Sequence, residues 1–264
     1  MGTYSSATRQ GAYEPFDLQV SRNQVDGHSG SYRFGWANSI GTTPQTITTA
    51  VTAGSAYVYP AAATAMKVSS ASANDTAAGT GARTILVAGL DANYAQISEI
   101  VTLNGQTQVT TTNSYLRITY TELLTTGSGN GQAGIIYIGT GSATAGVPAT
   151  IYWQSEVTYN NWSFAGFTVP AGYTAYISSY TITSQSTTAN INVSLALVVY
   201  EFGNTYSEFQ STARLSSNGN FDRHFDRPLV ISEKSDIELR AWATTAGAVN
   251  VTGEIQITLI KNPD

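Results

Sequence analysis

The chain has no cysteine at all among its 264 residues. That excludes a disulfide framework, a thiolate zinc site and a cysteine nucleophile. Histidine is almost as scarce, with two copies, His28 and His224. A tightly held transition metal would need both plus carboxylates, and neither lies in a known ligand spacing. Charge is sparse too: 11% of residues are Asp, Glu, Lys or Arg, against roughly 25% in ordinary domains. The balance is acidic, at −5, and no basic stripe exists, so a phosphate backbone would repel the protein. No apolar run approaches the length needed to cross a membrane. The opening MGTYSSATRQGAYEPF lacks the apolar centre of a signal peptide, so synthesis in a cytoplasm without export by that route is expected. No segment keeps a 3.6-residue apolar period for three turns.

Thr, Ser, Ala and Gly fill the space left by charge, with 24 Gly and 16 Tyr. This mixture suits strands with neutral polar faces joined by tight turns. At 42% apolar residues, the chain has enough material for a real core. Alternation is plain in QISEIVTL (96–103) and in INVSLALVVYEFG (191–203), where Ile191, Val193, Leu195, Leu197 and Val199 share one face. DIELRAWAT (236–244) and GEIQITLIKN (253–262) alternate likewise. Asn104-Gly105 offers a type I′ turn from which QTQVTTT would return antiparallel to QISEIVTL.

These patterns predict an all-β protein: antiparallel β-sandwich or jelly-roll domains, two in tandem, with an irregular N-terminal arm. The arm takes residues 1–40, with a short strand at Phe16–Ser21. The first sandwich takes 41–145 and the second 146–264, divided in the Gly-rich zone 125–150. Phe16, Tyr32, Phe34 and Trp36 need burial, either on a neighbouring subunit or along the arm's own domain.

Catalytic chemistry finds little support. The densest charged stretch, FDRHFDRP (221–228), pairs His224 with Asp222 and Asp226, but a loop of paired Asp and Arg accounts for it better than an acid/base pair. Glu99, Glu122, Glu201 and Glu208 are candidate carboxylates for glycoside hydrolysis, though isolated glutamates on solvent faces are ordinary in sheets. GTGSATAG (139–146) lacks the lysine and helix of a phosphate loop. No enzyme, cofactor or metal site is expected. The aromatics of IYWQSEVTYNNWSFAGF (151–167) are a better lead. Tyr152, Trp153, Tyr159 and Trp162 could stack on sugars, anchor a protein interface or fill a core between sheets.

Three blocks carry a family likeness: FDLQVSRNQVDGHSGSYRFG, then KVSSASANDTAAGTGARTILVAGLDANYAQISEIVTLNGQTQVTTTNSYLRI, then FTVPAGYTAYISSYTITSQSTTANINVSLALVVYEFG with PLVISEKSDIELRAWAT. In that order, over residues 15–260, the chain resembles virion structural proteins of tailed phages common among aquatic bacteria, cyanophages included. Residues 67–118 are the most specific part. The resemblance implies a virion location, with assembly in the host cytoplasm and release by lysis, and it supplies no catalytic residues. Within it, the first expectation is a capsid decoration (cement) protein, a homotrimer bound to the major capsid protein and to copies of itself, with neither nucleic acid nor membrane as partner. The alternative is a receptor-binding or fibre-type protein that recognises a host-surface glycan.

Overall fold

The structure is a computed structural model, and it describes residues 14–263 apart from 52–53, 158–159, 187–190, 217 and 246–248. Among the described residues, seventeen strands form four antiparallel sheets, with one short helix beside them. The first sheet runs β1 (His28–Ala37), β17 (Val249–Lys261), β12 (Tyr173–Ser186) and β15 (Gly219–Ile231). Facing it is a sheet of β11 (Gly166–Thr168), β16 (Asp236–Ala243), β13 (Asn192–Tyr200) and β14 (Glu208–Ser216), with β2 (Gln45–Thr46) paired to β16. Their inner faces supply one core, including Ile177, Ile182, Leu195, Leu197, Leu239 and Ile257.

A second sandwich is built from β10 (Asn161–Trp162), β9 (Val147–Glu156), β8 (Ile136–Thr144), β3 (Thr64–Ser70) and β6 (Val109–Tyr115). Its other sheet is β5 (Gln96–Thr102), β4 (Ala82–Leu90) and β7 (Arg117–Thr126). Met66, Val68, Ile85, Val87, Ile136, Ile138 and Trp153 lie in its core.

The alternation read from the sequence sets these faces. In β17 the odd-numbered residues from Val249 to Leu259 are buried and the even-numbered ones face outward. The face Ile191–Val199 of β13 lies wholly in the first core. Ser194, Ala196 and Val198, on the opposite face of β13, are buried as well.

Three expectations about chain order are corrected. The second sandwich is not the first half of a tandem; it is inserted between β2 and β11 of a sandwich made from both ends of the chain. The division at 145/146 therefore falls inside a hairpin, since β8 and β9 pair with Thr144 opposite Val147. The Gly-rich zone there makes turns, not a linker. Next, the segment expected as an irregular arm is ordered. Residues 28–37 form an edge strand in ten-residue register with β17, from His28 opposite Ile260 to Ala37 opposite Val251. The first sandwich buries Ala37 in its own core, so this part of the arm packs along its own domain. Residues 16–21, expected as a strand, form the helix α1 (Phe16–Ser21) with Asp17 in its first turn and Val20 buried. Six residues are too few to display a helical period.

The Asn104-Gly105 reversal is also not a two-residue hairpin. β5 pairs with β4, through the turn in which Asp91 Oδ1 accepts the Asn93 and Ala95 amides at 2.8 and 2.9 Å. After Leu103 the chain crosses to the other sheet, where β6 joins β3. Gly105 does have positive φ, at 61°, but it serves the crossover: its amide donates to Asp75 O and its carbonyl accepts from Ser70 N. Asp75 is the buried centre of that region. Its carboxylate accepts from the amides of Ala82, Ala133 and Gly134 and from the Ser70 hydroxyl.

Candidate functional site

The residues singled out in the sequence fall into separate places. The arm aromatics are outward-facing. Even-numbered positions of β1 point away from the core, so Tyr32, Phe34 and Trp36 form a ladder along one edge of the sheet. Ring centroids are 6.4 Å apart for Tyr32–Phe34 and 6.0 Å for Phe34–Trp36, the latter pair stacked. Tyr32 is 52% exposed, and burial together with the Glu254 carboxylate beside it pushes its hydroxyl up to about 12. Phe16 on α1 is 49% exposed and meets His28 edge-on at 5.7 Å. Leu18 of the same helix is exposed as well. Together these residues give the N-terminal side of the molecule an exposed aromatic and apolar surface.

The aromatics of 151–167 behave in the opposite way. Trp153 and Trp162 are 6% and 5% exposed and lie in the core of the inserted sandwich with Phe164. The Trp153 ring sits 5.3 Å from Phe164 and 6.5 Å from Trp162, and its indole N–H donates to Thr121 Oγ1 at 2.8 Å. Tyr152 is half-buried against the same core, and its carbonyl accepts the Tyr57 hydroxyl. Tyr159 lies outside the described residues. Trp153 and Trp162 therefore offer no face to a sugar; of the three roles open to this stretch, they fill the core.

The charged stretch 221–228 is not a loop but most of β15, an edge strand. His224 Nε2 lies 3.1 Å from Asp222 Oδ2 on an exposed surface, and Asp222 Oδ1 accepts from Thr181 Oγ1. Charges and Pro228 along an open edge block further strand pairing. Of the candidate glutamates, Glu99 accepts the amides of Thr112 and Asn113 and the Tyr115 hydroxyl, which ties β5 to β6 across the sheets. Among the described residues, no three His, Asp or Glu side chains gather as a metal site would need.

Sequence reasoning missed the seam between the sandwiches, where two buried ion pairs meet. Arg117, at the start of β7, grips Asp236 of β16 with two parallel bonds of 2.9 and 2.8 Å. Its remaining donors reach the carbonyls of Pro60 and Leu116, and its guanidinium lies 4.4 Å from the Tyr59 ring centre. Burial alone would lower the guanidinium; the Asp236 carboxylate reverses this and its pKa is raised. Two residues further along, Glu238 is fully buried and is held by Arg240 Nε at 2.9 Å and Thr46 Oγ1 at 2.7 Å. Burial still raises the Glu238 carboxyl above its ordinary range, against the pull of Arg240. The signal for this seam was available: Arg117, Glu238 and Arg240 each interrupt an apolar strand run.

A second place missed is a cleft of about 470 Å³ at the edge of that seam. It opens between the early half of β1 and strands β4 and β5 of the inserted sandwich, with Thr119 of β7 beside it. Arg33 lines it. The Arg33 guanidinium lies 5.0 Å from the Phe167 ring centre, and its Nε is buried without a hydrogen-bond acceptor.

No protein-family model matches the chain, and no curated protein matches it. Among solved structures, it is similar to a chain of infectious bursal disease virus, Gx strain, at 9% identity and a TM-score of 0.24, over 95% of this chain and 82% of that one. It is also similar to the VP2 subviral particle of infectious bursal disease virus, at 10% identity and a TM-score of 0.21, over 89% and 76%. Likenesses this distant carry no argument about what the chain does.

Proposed function

We propose that the chain is a non-enzymatic structural protein of a tailed-phage virion, and more specifically a capsid decoration protein. The support is the sequence resemblance over residues 15–260 together with one structural observation. The aromatics of the N-terminal segment are held outward, while Trp153 and Trp162 of the aromatic-rich stretch further along are consumed by the core. The sticky surface is thus Phe16, Leu18 and Tyr32. In this reading that surface docks on the major capsid protein or on a neighbouring copy in a homotrimer. Many copies acting together make weak individual contacts sufficient.

The receptor-binding alternative keeps one observation in its favour. Phe202, Tyr206 and Phe209 are exposed close together along the chain, with Phe209 edge-on to Trp242 at 6.4 Å. Copy number per purified particle separates the two readings. Hundreds of copies, by densitometry against the major capsid protein, support decoration; a few dozen or fewer place the protein at a tail or vertex and refute it. Under decoration, the Phe16→Ser/Leu18→Ser/Tyr32→Ser variant is lost from heads while remaining folded. Undiminished occupancy would show that the docking surface lies elsewhere.

A further inference from the structure

We infer that the cleft beside Arg33 binds an acidic peptide segment of a partner chain, laid as an added strand along the free half of β1. The inference does not rest on the virion reading; it follows from two independent features that meet in one place.

The first is an open strand edge. Among the described residues, β1 is the outermost strand of its sheet. In its later half the outward backbone groups are taken: Phe34 O accepts from Phe164 N, and the Trp36 N–H and carbonyl both bond to Ser163 Oγ. These are even-numbered residues. In an antiparallel pair, N–H and C=O of one residue point to the same side and the side alternates along the strand. Gly30 and Tyr32 therefore also direct their backbone groups away from β17, and the cap at 163–164 does not reach them. Gly30 has no Cβ, and nothing within 4 Å would meet one, so the strand face beside this part of the edge is open. An unpaired edge of this kind is the docking element for strand addition.

The second feature is an unanswered cation. Arg33 is half-buried, its Nε is buried without an acceptor, and among the described residues no carboxylate lies within salt-bridge distance of it. Burial lowers it only to about 10, with Tyr120 opposing the shift, so it stays protonated at neutral pH. Elsewhere this chain answers each buried arginine with a carboxylate: Arg117 with Asp236 and Arg240 with Glu238. Arg33 instead faces a cleft whose polar lining is hydroxyl and amide, from Ser29, Ser31, Gln96, Ser98 and Thr119, with no Asp or Glu. A desolvated guanidinium beside neutral donors is complementary to a carboxylate. The strand edge supplies sequence-independent hydrogen bonds, and Arg33 selects an Asp or Glu on the incoming segment.

Amide and arginine Nε–H NMR of the full chain tests this with a soluble seven-residue probe, acetyl-STVEVTS-amide. Its counterpart with Gln at the centre and sodium acetate serve as comparisons. The expected result is slowed exchange at Gly30 and Tyr32 and a saturable shift of Arg33 Nε–H with the Glu peptide. The Gln peptide should bind at least tenfold more weakly, and Arg33→Gln should erase the difference between the two peptides. Equal binding of both peptides to the native chain, or protection confined to another strand edge such as β5 or β14, would overturn the assignment. Acetate matching the Glu peptide, with no slowed exchange at Gly30 and Tyr32, would also overturn it, leaving a small-carboxylate site without a strand partner. Because Arg33→Gln also removes a buried charge, its fold is checked by thermal melting, and Arg33→Lys provides a second variant that keeps the charge but loses the fork.

Discussion

Replacing Asp236 by Asn removes one charge from the seam and almost no volume. In the native protein the carboxylate accepts both parallel Arg117 bonds and the Thr168 hydroxyl, and the two side chains are 10% and 9% exposed. The variant leaves the buried Arg117 guanidinium facing a neutral amide oxygen in place of a carboxylate, with the Pro60 and Leu116 carbonyls and the Tyr59 and Tyr94 rings around it. Stranding one member of a buried pair costs about 3–5 kcal/mol. The residual exposure and the two carbonyls argue for the lower end, about 3 kcal/mol, or a fall in Tm of roughly 6–12 °C for a chain of this size. Urea unfolding followed by far-UV circular dichroism and tryptophan fluorescence measures it. The fluorescence is informative because Trp153 and Trp162 lie in the inserted core, whereas Trp242 lies in the other sandwich on β16. Arg117→Met combined with Asp236→Leu removes both charges at once and should recover all but about 1–2 kcal/mol. A loss below about 1 kcal/mol in the single variant would refute the reasoning. So would a double variant as unstable as the sum of its singles, since the pair would then not be coupled.

Glu238 has a folded-state pKa raised by burial, so the native state holds its proton where the unfolded chain has lost it. Stability from this group is therefore full below the ordinary carboxylate range and declines as pH rises through and above it. Glu238→Gln should flatten that decline in stability-versus-pH curves; an unchanged slope contradicts it. Burial also raises Tyr57, Tyr59 and Tyr115, each stabilising the fold only until the unfolded tyrosine ionises near pH 10. Above that point the three together should remove up to about 4 kcal/mol per pH unit, visible as steep alkaline unfolding with a delayed phenolate absorbance. Asp75→Ala strips four donors from a buried carboxylate and should cost at least about 3 kcal/mol, read as a loss of urea midpoint. Gly35→Ala would place a Cβ 2.4 Å from both Ala165 N and Ile47 O. It should destabilise by about 2 kcal/mol or more, and a neutral result would mean that this junction is loose.

Much of the fold is legible as alternation, because a strand with one wet face records its own orientation. The faces of β13 and β17 follow directly from the period of two. What failed depends on distant partners. The Asn104-Gly105 pair is a good hairpin turn by local chemistry, yet the Asp75 loop captures Gly105 and sends the chain to the other sheet. The insertion leaves no local trace, since a linker rich in Gly and a hairpin loop rich in Gly are the same string. The seam escaped for the same reason: Arg117 and Asp236 are separated by 119 residues, and only their intrusion into apolar runs hints at partners. Arg33 shows the limit clearly. Its neighbours Tyr32, Phe34 and Trp36 attract notice as aromatics, while the residue between them faces the other way and meets the cleft.

The pairing of β1 with β17 has a mechanical consequence. His28 lies opposite Ile260, so the described chain enters and leaves at the same end of one antiparallel pair. Tension applied between those two points opens the pair one rung at a time, a peeling geometry, instead of loading all ten rungs in shear. The inserted sandwich meets that path only at its boundary, where Ser163 and Phe164 bond the later half of β1. Its two attachments to the other sandwich run side by side, where Thr48 bridges Phe164, and no force between the chain's ends passes through its interior. Under load the first sandwich would yield by unpeeling its N-terminal strand while the insert stayed intact, a releasable tether joined to a passive spacer.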